Sequence, residues 1–288
     1  MALKLMYITN NPIIAQIAET AGVDCIFVDM EYIGKSARQG NMDTVKSHHT
    51  LDDVKRIADS IETAELLVRV NPIHAETSEY ASSEAEINES INCGAKKIML
   101  PYFKTVKEVE SLVKYVDGRA KVMPLIETPE AVAILDDLLR VDGVDEWFIG
   151  LNDLSIGYCK RFMFELLSDG TVEDICYKIH RKGKPFGFGG IASKGKGQLH
   201  SEKIIVEHYR LGSTSAILSR SFCNVNLIKH MGVISATFVN GIREIREIEA
   251  EAQHYRDFFI QNSTQIADSV SVALDDKNIS QSNKMAVL

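Results

Sequence analysis

The chain has 288 residues, of which 45% are hydrophobic and 25% are charged, and its formal net charge is −8. This composition excludes a collagen-like, mucin-like or wholly disordered chain, and the length fits one α/β barrel of about 250 residues with an extension. Lysines and arginines are scattered along an acidic chain rather than clustered, so we do not expect nucleic acid as a partner.

Short β-branched runs alternate with longer amphipathic stretches, a pattern typical of βα units that form a parallel sheet. Strands are predicted at residues 3–9, 25–31, 66–71, 97–101, 122–127, 147–153, 185–191 and 215–220. Helices are predicted at residues 12–21, 51–61, 84–93, 106–116, 129–139, 172–181 and 201–211. A doubly wound sheet usually has about six strands, so these eight units predict a (β/α)8 TIM barrel of the α/β class.

Two long segments follow predicted strands at the end of a barrel where active sites form, and both are candidate lids: residues 33–50 and 154–170. We expect a barrel core over residues 1–223 and an extended C-terminal helical arm over residues 224–275. A charged helix is predicted within the arm at 242–259, and the arm is expected to pack on a neighbouring subunit. Residues 276–288 are expected to form a frayed tail.

The cellular location follows from segments that the sequence lacks. No apolar run reaches the length of about 18 residues that a membrane span needs, and the first ten residues lack a small-residue cleavage site. The five cysteines are widely spaced and odd in number, which predicts reduced thiols. We therefore expect a cytoplasmic protein without a membrane partner.

Polar residues stand at the carboxyl ends of several predicted strands, and these ends meet at one rim of a barrel. Glu127 and Asp153 end adjacent predicted strands, so their oxygens are candidate ligands for one Mg²⁺ or Mn²⁺ ion. Alternatively, each carboxylate only caps the start of a helix. Arg69 lies at the carboxyl end of the third predicted strand, where it either binds a substrate oxygen or forms an ion pair with Asp29 or Glu31.

Five motifs on successive strands carry a family resemblance. They are Val-Asp-Met-Glu at 28–31, Val-Arg-Val-Asn-Pro at 68–72, Gly-Ala-Lys-Lys-Ile-Met-Leu-Pro at 94–101, Pro-Leu-Ile-Glu-Thr-Pro-Glu-Ala at 124–131 and Phe-Ile-Gly-Leu-Asn-Asp-Leu-Ser at 148–155. In order and spacing the chain resembles the HpcH/HpaI aldolase and citrate lyase beta-subunit superfamily over about residues 3–222.

This resemblance implies a pyruvate- or phosphoenolpyruvate-type barrel in which a divalent metal and an arginine bind a 2-oxo acid. Glu127 and Asp153 match the metal ligands, and Arg69 matches the arginine that polarises the ketone or enolate oxygen. The turn that contains Gly150, Asn152 and Asp153 matches the carboxylate-binding turn. Members of the superfamily assemble as trimers or hexamers through their last helices, so we expect a homo-oligomer.

The chain departs from the aldolase pattern at two positions. Tyr32 stands where the acidic motif with Asp29 and Glu31 ends in a histidine in the aldolases, and Leu125 replaces a glutamine. Tyrosine has a pKa of about 10 and is a poor base at neutral pH, so Tyr32 is expected to donate a proton or a hydrogen bond while another group acts as the base.

The first insertion offers replacements for the missing histidine. His48 or His49 is the candidate acid/base; alternatively the pair only leads into a helix with Thr50 as its N-cap. Lys35 and Arg38 are candidates to bind a second carboxylate or phosphate of the substrate; alternatively they are solvated loop charges.

Together these features predict a divalent-metal-dependent carbon–carbon lyase of the aldolase type that acts on a 2-oxo or hydroxy acid through a pyruvate-like enolate, without a Schiff base. Fixed positive charge from Arg69 and a metal ion is what a developing enolate oxygen requires. Two alternatives remain: a citrate-lyase-like enzyme for acyl-CoA thioesters, and a barrel that binds a metabolite without catalysis.

Overall fold

A computed structural model of the chain describes residues 1–35, 48–197, 199–228, 230–254 and 257–285. Arg38 and most of the first predicted lid lie outside the described residues. The anion-binding role expected for Arg38 therefore stays a prediction.

Eight parallel strands close into a barrel. They are β1 Lys4–Ile8, β2 Cys25–Asp29, β3 Glu65–Arg69, β4 Lys97–Leu100, β5 Lys121–Ile126, β6 Trp147–Ile149, β7 Phe186–Ile191 and β8 Ser215–Leu218. Neighbours in sequence pair around the ring, and β8 closes it by pairing with β1. The predicted (β/α)8 barrel is confirmed.

The strands are apolar on both faces, because helices cover the outside of the barrel and side chains fill its inside. All five residues of β2 are buried, for example. The interior is packed by large side chains from alternate positions, among them Met6, Phe27, Met99, Met123 and Phe148. This packed layer forms the floor beneath the carboxyl ends of the strands.

Helices follow the strands in regular order. They are α1 Pro12–Thr20, α2 Leu51–Ala58, α3 Ser83–Asn92, α4 Val106–Val116, α5 Pro129–Ala133, α6 Leu135–Leu138, α7 Leu151–Gly157, α8 Glu165–Ser168, α9 Thr171–Arg181, α10 Ser201–Leu211, α11 Met231–His254 and α12 Asp257–Met285. Capping boxes start α2 at Thr50 and α4 at Thr105, as their sequences favour.

Two predicted elements of the barrel differ from the structure in ways that affect the site or its neighbouring helix. The helix predicted at residues 129–139 is divided at Ile134, whose φ of −107° and ψ of 18° depart from helical values. The strand predicted at 147–153 ends at Ile149, and α7 begins two residues later. Asp153 therefore lies in the first turn of a helix rather than at a strand end.

The C-terminal arm consists of α11 and α12, and both pack on the barrel of their own chain. Helix α11 contacts α1 and α10, whereas α12 contacts α10 and α8. The single helix predicted at 242–259 instead spans the end of α11 and the start of α12, and helix continues to Met285 where a frayed tail was expected. Contact of the arm with a neighbouring subunit stays a prediction.

None of the helices in the described part of the chain is both long enough and apolar enough to cross a membrane.

The chain's single tryptophan, Trp147, begins β6 and is 1% exposed, in agreement with the core position that its strand predicts.

Candidate active site

A cavity of about 570 Å³ opens at the carboxyl ends of the strands. Most of the predicted site residues in the described part of the chain line it: Asp29, Lys35, His48, His49, Arg69, Glu127, Gly150, Asn152 and Asp153. Glu31 and Tyr32 contact these residues from behind the wall. The rim expected from the sequence therefore brings its polar residues to one cavity.

Asp29 and Arg69 form a two-pronged ion pair across neighbouring strands. Their Cα atoms are register partners of β2 and β3, and Arg69 Nε and Nη2 each donate to an Asp29 carboxylate oxygen at 2.8 Å. Burial raises the pKa of Asp29, but Arg69 and Lys35 outweigh it and hold the pKa well below its usual range. Arg69 forms the ion pair foreseen as an alternative, and it also lines the cavity.

Lys35 joins the same cluster. Its Nζ atom lies 2.7 Å from Asp29 Oδ2 and 3.4 Å from Glu31 Oε2, and its side chain is 7% exposed. Arg69 Nε lies 3.5 Å from the same Glu31 oxygen. The description of Lys35 as a solvated loop charge is therefore wrong, because two carboxylates hold the ammonium group inside the rim.

Glu127 is buried among other carboxylates. Its Oε1 accepts the backbone N–H of Tyr102 at 2.9 Å. Burial, followed by the nearby Glu31 and Asp153, raises the pKa of Glu127 well above its usual value, while Arg69 opposes the shift. A cation bound beside Glu127 would stabilise the charged form of this carboxylate.

Neither Glu127 nor Asp153 is a helix N-cap. Thr128 caps α5, and the N-cap of α7 is Gly150, which has no side chain with which to cap. A Cβ atom on Gly150 would stand 2.8 Å from Glu127 Oε2, closer than real contacts allow. Glycine therefore lets the Glu127 carboxylate lie against the first turn of α7, beside Asp153.

The donor set fits a hard divalent cation. Glu127 and Asp153 supply oxygen atoms. Among the described residues, the rim has four buried carboxylates, those of Asp29, Glu31, Glu127 and Asp153, and two buried cations, Arg69 and Lys35. Within the described ranges no group of three or more His, Cys, Asp or Glu side chains could hold a metal ion. Two carboxylates with water and substrate oxygens are the usual Mg²⁺ environment in enzymes.

His49 is held by the backbone of β2. Its Nδ1 accepts the N–H of Asp29 at 3.0 Å, so the neutral ring carries its proton on Nε2. Burial lowers the pKa of His49, which keeps the ring neutral at pH 7 despite nearby Asp29 and Asp53. In this state His49 is a hydrogen-bond donor rather than a base.

His48 lies at the edge of the cavity, and Tyr32 packs against it from behind the wall. Their rings stack with centroids 5.8 Å apart, and the Tyr32 hydroxyl donates to the carbonyl oxygen of His49. Burial, with Asp29 next, raises the pKa of Tyr32 above its usual value, so the phenol is protonated. Thr50 is the N-cap of α2, as the alternative interpretation of the His48–His49 pair predicted. Both histidines nevertheless line the cavity.

Sequence reasoning missed three contributors to this site. Asn71 belongs to the motif at 68–72 but was given no role, although its side chain holds the backbone after Glu31. Glu86 has the sequence signature of an ordinary solvent-facing helix residue. The Tyr102 amide reaches Glu127 from a left-handed backbone with φ of 49°, which no sequence motif signals for a tyrosine.

A closed (β/α)8 barrel with buried carboxylates and an arginine at the carboxyl ends of its strands has the architecture and site of a TIM-barrel enzyme. The chain belongs to the HpcH/HpaI aldolase/citrate lyase family, whose family model matches residues 4–162. That family consists of enzymes of the lyase and aldolase type.

Solved structures share the fold at low identity. An HpcH/HpaI aldolase from Desulfitobacterium hafniense DCB-2 is 17% identical with a TM-score of 0.58, covering 85% of this chain and 93% of its own. The citrate synthase SbnG is 17% identical with a TM-score of 0.59, covering 84% and 94%. Macrophomate synthase is 15% identical with a TM-score of 0.52, covering 76% and 77%. No curated protein matches the chain significantly.

Proposed function

We propose that the chain is a divalent-metal-dependent carbon–carbon lyase of the aldolase type, acting on a 2-oxo or hydroxy acid through a pyruvate-like enolate without a Schiff base. The observation that supports this most directly is the placement of Arg69 beside the buried Glu127 and Asp153 in one cavity. Members of the family include aldolases, and the cavity of about 570 Å³ is larger than pyruvate alone requires.

Glu127 and Asp153 would hold a Mg²⁺ or Mn²⁺ ion. When bound, the ion supplies a Lewis acid that polarises the keto oxygen of the substrate. The backbone amides in the first turn of α7, near Asn152 and Asp153, would bind the carboxylate of the substrate at the positive end of the helix.

Arg69 supplies fixed positive charge where the enolate oxygen develops. In retro-aldol cleavage the bond between C3 and C4 breaks and its electron pair becomes the enolate, while the C4 hydroxyl loses its proton and becomes a carbonyl. Because Asp29 holds the guanidinium by two hydrogen bonds, Arg69 needs little rearrangement as the charge forms.

We assign the proton transfer to His48. His49 has its Nδ1 occupied by the Asp29 amide and its Nε2 protonated, so it suits a hydrogen-bond donor. Tyr32 donates to a backbone carbonyl and has a raised pKa. His48 lies at the exposed edge of the cavity, where it can take the hydroxyl proton and return it to the enolate carbon.

Exchange of the pyruvate methyl protons in D₂O, followed by NMR, tests this function without knowledge of the aldehyde fragment. We expect exchange with Mg²⁺ or Mn²⁺, none after chelation, and a loss of at least about a hundredfold in Glu127→Gln and Asp153→Asn. Glu130→Gln is the matched control, since Glu130 is exposed on the same connection and pairs with Lys104.

Absence of exchange with either metal, or unchanged metal binding in both carboxylate variants, would contradict the proposal. A CoA thioester that protects the protein from unfolding where free oxo acids do not would favour the acyl-CoA lyase instead. Tight oxo-acid binding without exchange would favour a metabolite-binding barrel. Gel filtration with light scattering tests the expected trimer or hexamer.

A further inference from the structure

The turn that follows β2 is held from the next strand. Asn71 stands two residues after the end of β3 and is 4% exposed. Its Oδ1 accepts the backbone N–H groups of Tyr32 at 2.8 Å and Ile33 at 2.9 Å. Both amides belong to the turn of residues 31–35, so one side-chain oxygen fixes the path of that turn.

This turn places Lys35 in the site. The Lys35 N–H donates to the carbonyl oxygen of Tyr32 at 3.2 Å, which closes the turn. The Lys35 ammonium then reaches Asp29 Oδ2 at 2.7 Å and Glu31 Oε2 at 3.4 Å. Since those carboxylates also pair with Arg69, the position of Lys35 affects the charge that Arg69 presents to the cavity.

The orientation of the Asn71 amide is set by a residue outside the barrel. Glu86 on α3 accepts the Asn71 Nδ2 donor at 2.9 Å, and both of its carboxylate oxygens lie within 3.3 Å of the Asn71 backbone nitrogen. An asparagine side chain has one donor end and one acceptor end, so an acceptor at Nδ2 directs Oδ1 to the turn.

We propose that Glu86 is a positioning residue for this active site: through Asn71 it fixes the turn of residues 31–35 and so holds Lys35 between Asp29 and Glu31. The role of the turn in turnover rests on the proposed lyase function. The geometric part of the proposal does not, because it concerns only the hydrogen bonds between Glu86 and Asn71 and between Asn71 and the turn.

Glu86 also differs from an ordinary surface carboxylate. Burial raises the pKa of its carboxyl to about 7, although the Asn71 donors and the nearby His74 lower it. A carboxylate placed only for solubility on an outer helix would remain solvated. Burying the Glu86 carboxylate costs free energy, and this cost is consistent with a structural role of Glu86 in orienting Asn71.

Amide hydrogen exchange at constant pH tests the geometry, with Glu86→Ala compared with Glu86→Gln. Glutamine keeps an acceptor for Asn71 Nδ2, so it should retain wild-type protection. Alanine should speed exchange of the Tyr32 and Ile33 amides by about tenfold. Glu89→Ala is the matched control, because Glu89 is exposed on the same helix. Unchanged exchange of both amides in Glu86→Ala would overturn the proposal.

A double-mutant cycle with Lys35→Met separates positioning from general destabilisation. If Glu86 acts through Lys35, the loss of pyruvate proton exchange caused by Glu86→Ala, about tenfold, should vanish in the Lys35→Met background. Additive losses would overturn the coupling. If the wild-type protein exchanges no pyruvate protons, the lyase function fails while the amide-exchange result still decides whether Glu86 positions the turn.

Discussion

Asp29 is the residue on which the cation cluster depends. Arg69 and Lys35 both pair with its carboxylate, and the Asp29 backbone also orients His49. Removal of one partner from a buried ion pair leaves the other charges without compensation, and this costs more than the pair contributes as a whole. The consequences of a change at Asp29 should therefore appear in both stability and its pH dependence.

Asp29→Asn should lower the free energy of unfolding at pH 7 by about 3 kcal/mol. The folded-state pKa of Asp29 is depressed, so its stabilising effect is complete above the ordinary value of 3.8 and is lost as pH falls below it. The variant should accordingly show a shallower loss of stability between about pH 4 and pH 2. Urea unfolding at several pH values measures both effects.

Asp59→Asn is the control for this prediction. Asp59 pairs with Lys55 at 2.7 Å, but both side chains are more than half exposed, so the change should cost at most about 1 kcal/mol. Equal losses of unfolding free energy in Asp29→Asn and Asp59→Asn would show that burial of the Asp29 cluster does not strengthen its contribution to stability.

For individual residues, residue type and position in a strand were enough to predict which side chains lie together in the site. Asp29, Arg69 and Glu127 were placed at one rim because parallel strands end together, and the structure brings them to one cavity. The sequence did not reveal that Lys35 turns inward, since an insertion has no periodicity from which to infer a side-chain direction. The hydrogen bond at His49 Nδ1, which decides its protonation, also depends on tertiary geometry.

At the scale of elements, the start of α2 connects local helix chemistry to the site. The Thr50 side chain accepts the Asp53 N–H and the Asp53 side chain accepts the Thr50 N–H. His48 and His49 immediately precede this capping box. The cap therefore fixes the direction in which the histidine pair enters the helix.

Thr50→Ala should cost about 1 kcal/mol of stability through loss of the cap. It should also speed hydrogen exchange of the Asp29 amide, because His49 Nδ1 loses its fixed position. Thr105→Ala removes the same type of capping box from α4, whose start carries no residue of the cavity wall. That control should cost similar stability and leave the Asp29 amide unchanged; an equal response at Asp29 would contradict the prediction.

The boundaries of two helices were predicted to the residue. The limits of Val106–Val116 and Ser201–Leu211 match the structure. The strand prediction at 147–153 was too long, because α7 begins directly after Gly150 and its apolar first residue, Leu151, continues the hydrophobic run. Short apolar runs do not distinguish a strand from the first turn of a buried helix.

For the molecule as a whole, the C-terminal arm is fastened to the barrel through buried polar contacts. Asn262 on α12 donates from Nδ2 to Glu207 Oε2 at 3.1 Å and to the Lys203 carbonyl at 3.0 Å, and Glu207 is fully buried on α10. Arg210 binds the same carboxylate. The arm thus supplies a hydrogen-bond donor to a charge inside the fold.

Asn262→Ala should destabilise the protein by about 1–3 kcal/mol, because the Glu207 carboxylate loses a buried donor. Amides of α12 should exchange faster than those of the barrel strands. Asn240→Ala, at an exposed position on α11, should change stability by less than about 0.5 kcal/mol. Chemical unfolding with hydrogen exchange distinguishes the two, and unchanged stability of Asn262→Ala would contradict this function of the arm.

The barrel itself was predictable because its eight βα units repeat one pattern, and the count of strands fixes the architecture. The arm was less predictable. Its helices lack a strand partner, and the weakly amphipathic α12 gives little indication of which barrel helices it contacts. The buried position of Asn262 follows only from the packing of α12 against α10.

The burial of Trp147 gives the protein an intrinsic optical probe. The only indole of the chain lies in the apolar interior at the start of β6, three residues before the glycine that lies against Glu127. Unfolding must transfer this ring to water, so its emission should shift to longer wavelength as the barrel opens. Fluorescence therefore follows the strand next to the carboxylate pair without any added label.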